Sequence, residues 1–114
     1  GKAVITTGGN LKAMFVIHTV GPVWHDGNQG ETELLASAYR ESLETAAAHN
    51  LTSVSFPSIS TGAYRYPIAE AAGIALRTVS SFLNEHPGSI KEVVFVLFNT
   101  ATFTSYQSAL AGLK

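Results

Sequence analysis

The sequence contains no cysteine, which excludes disulfides, thiolate zinc sites and cysteine nucleophiles. Charged residues are scarce at 13%, and a formal net charge of −1 provides no basic field that would attract nucleic acid. No apolar run approaches the roughly 20 residues that a membrane span needs. We therefore predict neither a nucleic-acid partner nor a membrane partner, and we expect a cytoplasmic protein.

Apolar residues are abundant, at 46% of the 114 residues, which predicts one domain, spanning residues 1–114, with a substantial core. β-prone apolar runs alternate with segments of helical spacing. In chain order, the predicted elements are strands over 3–6 and 14–20, a helix over 31–49, a strand over 53–59, a helix over 67–83, a strand over 92–98 and a helix over 101–113. This alternation predicts an α/β fold with a largely parallel sheet between two helix layers.

Three local patterns predict how these elements end and pack. Asn50 is the predicted C-terminal cap of the first helix. The run "EVVFVLF" at 92–98 is apolar on both faces, which predicts a central strand covered on both sides. The last helix has Phe103, Tyr106, Leu110 and Leu113 at helical spacing, so we expect these four side chains to point inward.

The stretch "SISTGAYRYP", residues 58–67, joins a predicted strand to a predicted helix. Ligands of open α/β sheets bind beyond the carboxyl ends of strands, and free N–H groups at a helix N-terminus favour an anion. Gly62 would let the backbone approach a phosphate closely, because it has no Cβ. An ordinary turn explains the same residue types, and neither a Walker loop nor a dinucleotide fingerprint is present. Composition alone leaves the phosphate cradle and the turn as alternatives.

Other candidate groups are weaker. His18 lies within the strand-like run "MFVIHTV", which favours a structural, partly buried histidine. The four histidines lack metal-ligand spacing, so we predict no metal site. Ser58 and Ser60 lack the Gly-x-Ser-x-Gly elbow of a serine nucleophile. Phe98 follows a strand and is a candidate contact for adenine or ribose, although core packing is the commoner role of such a residue. Trp24 is predicted to be a packing residue or the lip of a pocket.

Four stretches together resemble a known family. They are "GKAVITTGGNL", "VIHTVGPVW", "SVSFPSISTGAYRYP" and "VVFVLFN". In order and spacing they resemble the C-terminal two-thirds of a macrodomain, and the bacterial O-acetyl-ADP-ribose deacetylase branch, related to the MacroD-type hydrolases, looks most similar. The resemblance covers essentially the whole sequence and implies a three-layer α/β/α fold with a mixed sheet.

The resemblance implies an ADP-ribose-binding protein that hydrolyses O-acetyl-ADP-ribose or ADP-ribosylated protein without a cofactor. The alternatives are a non-catalytic reader of ADP-ribose or another nucleotide diphosphate, and an inactive, self-associating fragment. The residues that match the family's loop around the diphosphate and distal ribose are Ser58, Ser60, Thr61, Gly62, Ala63 and Tyr64. Phe98 and Asn99 match the adenosine side, although many relatives carry Asp at the position of Asn99.

The family's N-terminal segments have no counterpart in this sequence. They comprise a strand ending in Gly-Asp-Ile, a second strand leading to Asn-Ala-Ala-Asn, and a Gly-rich loop with its helix. Asp26 is the only aspartate here, and it lies in a different segment. No catalytic residue can therefore be assigned, and we expect an N-terminally truncated macrodomain, with the first strand, the second strand and the Gly-rich loop absent and with weakened function.

The same resemblance predicts a gap in the sheet. In the family, the second strand lies between those matching 14–20 and 53–59. Three outcomes are open without it: the two strands close up, a second copy pairs with them, or a separate chain carries the N-terminal part. Exposed strand edges favour self-association.

Overall fold

A computed structural model describes residues 3–7 and 15–113. Its elements are β1 (Ala3–Thr7), β2 (Phe15–Thr19), α1 (Glu31–Ala48), β3 (Ser53–Phe56), α2 (Ile68–Glu85), β4 (Glu92–Phe95) and α3 (Thr100–Leu113). The predicted order of strands and helices is confirmed, although β3 and β4 each end three residues early. Met14, the first residue of the predicted strand 14–20, and residues 8–10, which separate the first two predicted strands, lie outside the described residues. None of the helices in the described ranges is long and apolar enough to cross a membrane.

The strands form two separate sheets instead of the single sheet predicted from the sequence. β1 and β2 pair antiparallel, from Ala3 opposite Thr19 to Thr7 opposite Phe15. β3 and β4 pair parallel, from Ser53 opposite Glu92 to Phe56 opposite Phe95. Across residues 3–7 and 15–113, β2 and β3 do not pair with each other. Of the three outcomes left open by the sequence, closure of these two strands is therefore not what the structure adopts.

α1 contributes large buried side chains to the core, and its C-terminal end is capped as predicted. The side chains of Leu35, Tyr39 and Leu43 are all buried. Asn50 adopts a left-handed conformation with φ of 58°. Its N–H donates to the Ala47 carbonyl at 3.0 Å, and the next N–H donates to the Ala46 carbonyl at 3.1 Å. This is a Schellman cap, in which Asn tolerates the left-handed position better than most residues.

An aromatic cluster connects four elements. Tyr39 of α1 packs edge-on against Phe56 of β3, with ring centroids 5.0 Å apart. Phe95 of β4 contacts Tyr106 of α3 at 5.2 Å, and it stacks on Phe56 at 5.9 Å. Such pairs add about 0.5–1.5 kcal/mol each beyond the area they bury. They hold the carboxyl ends of β3 and β4 against two helices.

Two predicted faces are wrong in detail. In α3, Tyr106 is buried as expected, but Phe103 is 52% exposed, Leu110 and Leu113 are also exposed, and Thr102 is buried instead. The buried stripe is therefore rotated by about one residue, because the hydroxyl of Tyr106 has partners in the core that fix the helix. On β4, the Val94 side chain is 41% exposed, so the described residues cover only one of its faces.

Candidate functional site

The carboxyl ends of β3 and β4 lie side by side because these strands are parallel. The Val96 N–H continues their ladder by donating to the Phe56 carbonyl at 2.8 Å. The loop 57–67 leaves β3 at this edge, and residues 96–99 leave β4 beside it. Ligands of α/β sheets bind at such an edge. The structure therefore places the two predicted groups of site residues at one end of one sheet.

The loop 58–66 closes on itself through its own backbone. The Tyr66 N–H donates to the Ser60 carbonyl at 2.9 Å, and the Arg65 N–H donates to the Gly62 carbonyl at 3.0 Å. Ser60 and Arg65 both have positive φ, 67° and 62°. The Thr61 hydroxyl donates to the Ser58 carbonyl at 3.2 Å. These contacts curl the loop, and left-handed residues of this kind turn successive N–H groups towards a common concavity.

Residues 61–64 have backbone N–H groups that donate to no acceptor within the described part of the chain. The Gly62, Ala63 and Tyr64 residues are exposed, and a Cβ built on Gly62 would meet nothing within 4 Å. The loop leads into α2, which begins at Ile68, one residue after the predicted start, so residues 61–64 lie ahead of the helix N-terminus and not within it. The donors that favour an anion here are the loop's own amides.

Hydroxyl groups from two helices hold the start of this loop. Tyr106 donates to Ser58 Oγ at 2.8 Å. Tyr39 Oη accepts the Ile59 N–H at 3.0 Å and lies 3.4 Å from the Tyr106 hydroxyl. Burial, together with Tyr106, raises the pKa of Tyr39, so its hydroxyl stays neutral. The network fixes where the loop leaves β3.

The loop after β2 packs against the candidate loop. The Trp24 N–H donates to the Tyr64 carbonyl at 2.8 Å, and the Trp24 ring lies 4.8 Å from the Tyr66 ring. A Cβ on Gly21 would overlap Ser60 Oγ, so the close contact between these two loops requires glycine at position 21. The two motifs "HTVGPVW" and "STGAYRYP" therefore meet in space, and Trp24 is a packing residue at this contact.

Two buried hydroxyls have no hydrogen-bond partner in the described ranges. They are Ser60 Oγ, beside Gly21, and Tyr66 Oη. A buried polar atom without a partner costs about 1–3 kcal/mol. Both lie in the loop 58–66, so the free-energy cost of these unsatisfied hydroxyls falls on the candidate site.

The adenosine-side residues occupy the neighbouring position. Phe98 is 86% exposed, which is unusual for a phenylalanine outside an interface or a binding site. The Asn99 side-chain oxygen accepts the Thr102 N–H at 2.8 Å and thereby caps the N-terminus of α3. The cap occupies that oxygen and leaves the amide nitrogen of Asn99 as its exposed polar group.

The acidic side chains of residues 25–31 already accept hydrogen bonds from backbone N–H groups. Glu31 is buried, and its two carboxylate oxygens accept four backbone N–H groups of residues 25–29, at 2.7–3.2 Å. These hydrogen bonds, above all that from His25, outweigh burial and lower the pKa of Glu31 to about 2. The Asp26 carboxylate accepts the Asn28 N–H at 2.8 Å within its own loop. Both oxygens of Glu31 are therefore engaged, which leaves this carboxylate unsuited to accept a proton from a water.

The histidines do not assemble a second site. His18 is exposed, not partly buried as predicted, and its Nε2 lies 2.9 Å from the Thr6 hydroxyl across the β1–β2 pair. Within residues 3–7 and 15–113, no three His, Asp or Glu side chains are grouped so that they could hold a metal ion.

Sequence reasoning missed the residues that position the loop. Tyr106 was expected only to point inward, because helical spacing reports which side of a helix is buried and not where a hydroxyl points. Neither Tyr39 nor Gly21 was identified as a contact of this loop. The only available signal was the order of small residues in "HTVGPVW", and it does not indicate which distant segment approaches.

Comparison with known proteins places these features in one family. The sequence profile of the Macro domain matches residues 1–75. A macro domain-containing protein of Chlorobaculum tepidum is 54% identical over 98% of this chain and 64% of its own length. An O-acetyl-ADP-ribose deacetylase of Klebsiella pneumoniae is 52% identical over 98% of this chain and 63% of its own length. A mutant macrodomain of Oceanobacillus iheyensis, solved with ADPR, superposes with a TM-score of 0.89 at 46% identity, over 98% of this chain and 59% of that one. The chain thus spans somewhat less than two thirds of the length of these relatives.

Proposed function

The chain belongs to the macro domain family, and from that premise we propose that it binds ADP-ribose, with the diphosphate held by the loop 58–64. The observation that carries this proposal is the run of amides at 61–64, which donate to no acceptor in the described ranges, together with the open space beside Gly62, where a Cβ would meet nothing within 4 Å. A diphosphate supplies several anionic oxygens, and hydrogen bonds to charged acceptors are about twice as strong as neutral ones. The loop offers several amide donors to these oxygens.

The two aromatic residues at the rim support binding of the remaining parts of the ligand. Tyr64 is 38% exposed at the far end of the loop, where it would line the distal ribose. Phe98 presents its ring at the end of β4, where a base could stack. Asn99 would offer its amide nitrogen beside that ring, since its oxygen caps α3.

We further propose that the reaction of the family member to which this chain corresponds is hydrolysis of O-acetyl-ADP-ribose. A water adds to the acetyl carbonyl, the ester C–O bond breaks, and acetate and ADP-ribose leave. The described residues contribute binding and orientation of the diphosphate, which lower the barrier by positioning and by fixed dipoles. The group that takes the proton from water is not assigned to any residue of this chain.

A second candidate function is that of a non-catalytic ADP-ribose reader. The observation in its favour is that Glu31 and Asp26, the carboxylates of the loop beside the site, are already bound by backbone amides. A reader needs the open amides of residues 61–64 but no acid or base. A cytoplasmic location stays a prediction of the cysteine-free composition.

The experiment that tests these proposals is a calorimetric titration of ADP-ribose into this chain, with AMP and inorganic phosphate as controls. We expect saturable binding of ADP-ribose and at least tenfold weaker binding of either control, because each control offers only part of the ligand. Absence of binding to a folded sample would overturn the assignment of the loop. Release of acetate from O-acetyl-ADP-ribose by the same sample separates the hydrolase from the reader.

A further inference from the structure

Four carbonyl groups of the loop 58–66 already accept hydrogen bonds from within the chain. They alternate along the loop and belong to Ser58, Ser60, Gly62 and Tyr64. The loop's own residues supply three of the four donors. The fourth donor comes from the segment after β2, where the Trp24 N–H reaches the Tyr64 carbonyl at 2.8 Å. Tyr64 is therefore the point at which a distant segment holds a carbonyl of this loop.

The peptide group between Tyr64 and Arg65 is held at both ends. Its carbonyl accepts from Trp24, and its N–H donates to the Gly62 carbonyl at 3.0 Å. Because a peptide group is planar, these two hydrogen bonds fix its orientation. Arg65 has a φ of 62°, which is unfavourable for a residue with a Cβ and persists only where neighbouring groups hold it. Loss of the bond from Trp24 would free this peptide group to turn, and the backbone of Tyr64 would turn with it.

The Trp24 side chain is itself fixed by two neighbours. Its ring lies 4.8 Å from the ring of Tyr66, which is buried. The outer edge of the ring, at Cη2, lies so close to Gly27 that a Cβ on that residue would come within 2.9 Å of it. Gly27 has a φ of 84°, so glycine suits this position both in conformation and in size. Any side chain at position 27 would therefore displace the Trp24 ring.

Gly27 belongs to the loop that Glu31 organises. The Gly27 N–H donates to Glu31 Oε2 at 3.2 Å, and the His25 N–H, directly after Trp24, donates to the same oxygen at 2.8 Å. Hydrogen bonds to a charged acceptor are about twice as strong as those to a neutral one. The residue that follows Trp24 and the residue that contacts its ring edge are therefore both anchored to α1.

We propose that Trp24 is a positioning residue of the ligand site, which holds Tyr64 in place for the distal ribose and is itself held by Gly27 and the Glu31 carboxylate. The observation that carries this proposal is the continuous set of contacts from Glu31 through Gly27 and Trp24 to the Tyr64 carbonyl. The inference rests on the proposed binding of ADP-ribose, since it assigns Tyr64 to the ribose. It adds that the loop 25–31, with its internal carboxylate, sets the geometry of the loop with the open amides.

The proposed role predicts an effect on selectivity and not only on affinity. ADP carries the diphosphate but lacks the distal ribose, so only ADP-ribose places a ribose against Tyr64. Displacement of Trp24 should therefore weaken the binding of ADP-ribose more than that of ADP. A change that only lowered the folded fraction would weaken both ligands in the same proportion.

A pair of glycine variants displaces the Trp24 ring without changing the ligand loop. Gly27→Ala adds a Cβ 2.9 Å from Trp24 Cη2, whereas Gly30→Ala adds a Cβ that meets nothing within 4 Å. Both glycines have positive φ, 84° and 76°, so the two variants carry a similar backbone cost. In calorimetry, we expect Gly27→Ala to weaken ADP-ribose about tenfold and ADP about twofold, and Gly30→Ala to change neither by more than about twofold. An equal loss of selectivity in both variants would overturn the proposal, because backbone strain alone would then explain it.

A double-mutant cycle tests whether Gly27 acts through the Trp24 ring. Trp24→Phe keeps the N–H that reaches Tyr64 and removes the outer ring atoms, Cη2 among them. In that background, Gly27→Ala has no ring edge to displace, so we expect it to change the preference for ADP-ribose over ADP by less than about twofold. Additive effects of the two substitutions would contradict the proposed path, because only independent sites add.

Trp24→Phe also covers the case in which Gly27→Ala fails to fold. It leaves Gly27 in place, and the loss of the ring contact should by itself lower the preference for ADP-ribose over ADP by about fivefold. An unchanged preference in this variant would overturn the role of the Trp24 side chain.

Two measurements without ligand separate this proposal from the proposed function. The sequence has a single tryptophan, so intrinsic emission reports this ring alone. We expect Gly27→Ala, but not Gly30→Ala, to shift that emission and to speed exchange of the Trp24 amide about tenfold, because its hydrogen bond to Tyr64 is weakened. If the wild-type chain bound no ADP-ribose, the proposed function would fall, and these two signals would still decide whether the loops are coupled. No change in either signal would overturn the coupling.

Discussion

Two loops at the same end of the molecule present backbone amides in opposite ways. In the loop 25–31, four amides converge on the two carboxylate oxygens of Glu31 and are fully satisfied within the chain. In the loop 58–66, the amides of 61–64 have no acceptor in the described part of the chain, and Gly62 borders open space. Both arrangements are suited to an anion, but only the second leaves its position available to one.

A loop with converging amides is a structural support or a binding site, depending on whether the chain itself or a ligand supplies the anion that the amides bind. When the chain supplies it, the loop is a rigid support, and its free energy contributes to folding. When a ligand supplies it, the same donors contribute to binding instead. Loop composition does not make this distinction, since both loops are rich in small and polar residues.

The largest effect is expected from giving the open loop an acidic side chain of its own. Gly62→Glu places a carboxylate in the space where the diphosphate would lie, so we expect ADP-ribose affinity to fall by more than 100-fold. The Cβ meets nothing within 4 Å, so the Tm should change little. Calorimetry and thermal unfolding measure the two effects.

Gly112→Glu is the matched control for that change. Gly112 lies in α3, and its Cβ would also meet nothing within 4 Å. The same change in charge and bulk should leave ADP-ribose affinity within about twofold of wild type, since no step of binding involves α3 there. An equal loss in both variants would mean that net charge, and not the loop, controls binding.

The next largest effect is expected from removing the internal anion. Glu31→Gln replaces one acceptor oxygen by an NH₂ group, which would face backbone donors that it cannot accept from. We expect the Tm to fall by several degrees at pH 7. Glu33→Gln, an exposed residue in the same helical turn, should change the Tm by less than about 1 °C. A comparable fall in both variants would contradict the structural role of Glu31.

The pH dependence of stability sharpens the same point. The pKa of Glu31 is about 2 in the fold against an ordinary value of 4.5. A lowered pKa contributes stability that is fully present above the ordinary value and is lost as pH falls towards the folded value. The Tm difference between wild type and Glu31→Gln should therefore be constant above about pH 5 and should shrink between pH 4.5 and 2. A difference that stays constant down to pH 2 would show that Glu31 is not held as a carboxylate.

A smaller effect is expected where hydroxyls support the open loop. Tyr106→Phe removes the hydrogen bond to Ser58 Oγ, which should lower the free energy of unfolding by about 1 kcal/mol and weaken ADP-ribose binding a few-fold. Urea unfolding and calorimetry measure these changes. An unchanged affinity would show that the loop holds its position without the hydroxyl of Tyr106.

Tyr66→Phe is the control for the tyrosine network. Tyr66 is also buried, but its hydroxyl has no partner in the described ranges. Its removal relieves an unsatisfied group, so we expect stability to stay equal or to rise by up to about 1 kcal/mol. A loss as large as that of Tyr106→Phe would mean that both changes act through packing alone.

Much of the local structure was predictable from the sequence. The order of elements and the cap at Asn50 follow from spacing and from the conformational preference of single residues, which act over a few positions. The rotated face of α3 did not follow. Helical spacing allows Tyr106 to be buried together with either Phe103 or Thr102, and the choice depends on contacts with other elements, including the partners of the Tyr106 hydroxyl.

The candidate site was predictable only in part. Residues 58–64 were identified from the turn chemistry and from the resemblance, and the structure places them at the expected edge of a sheet. Asn99 was assigned to the adenosine side, and no local pattern was used to predict that its side-chain oxygen caps α3. The contact of Gly21 with Ser60 joins segments about forty residues apart, and no local pattern indicates it.

By itself, the sequence determined which segments are helix and strand, that the core is apolar, and that a Gly-containing loop follows β3. These properties depend on side-chain chemistry and on near neighbours in the chain. Only the tertiary structure decided that Glu31 accepts the amides of the loop 25–31 while those of residues 61–64 stay open. It also decided that β2 and β3 do not pair with each other in the described ranges. Such features depend on which distant backbone groups come within hydrogen-bonding distance, and that is set by the packing of the whole chain.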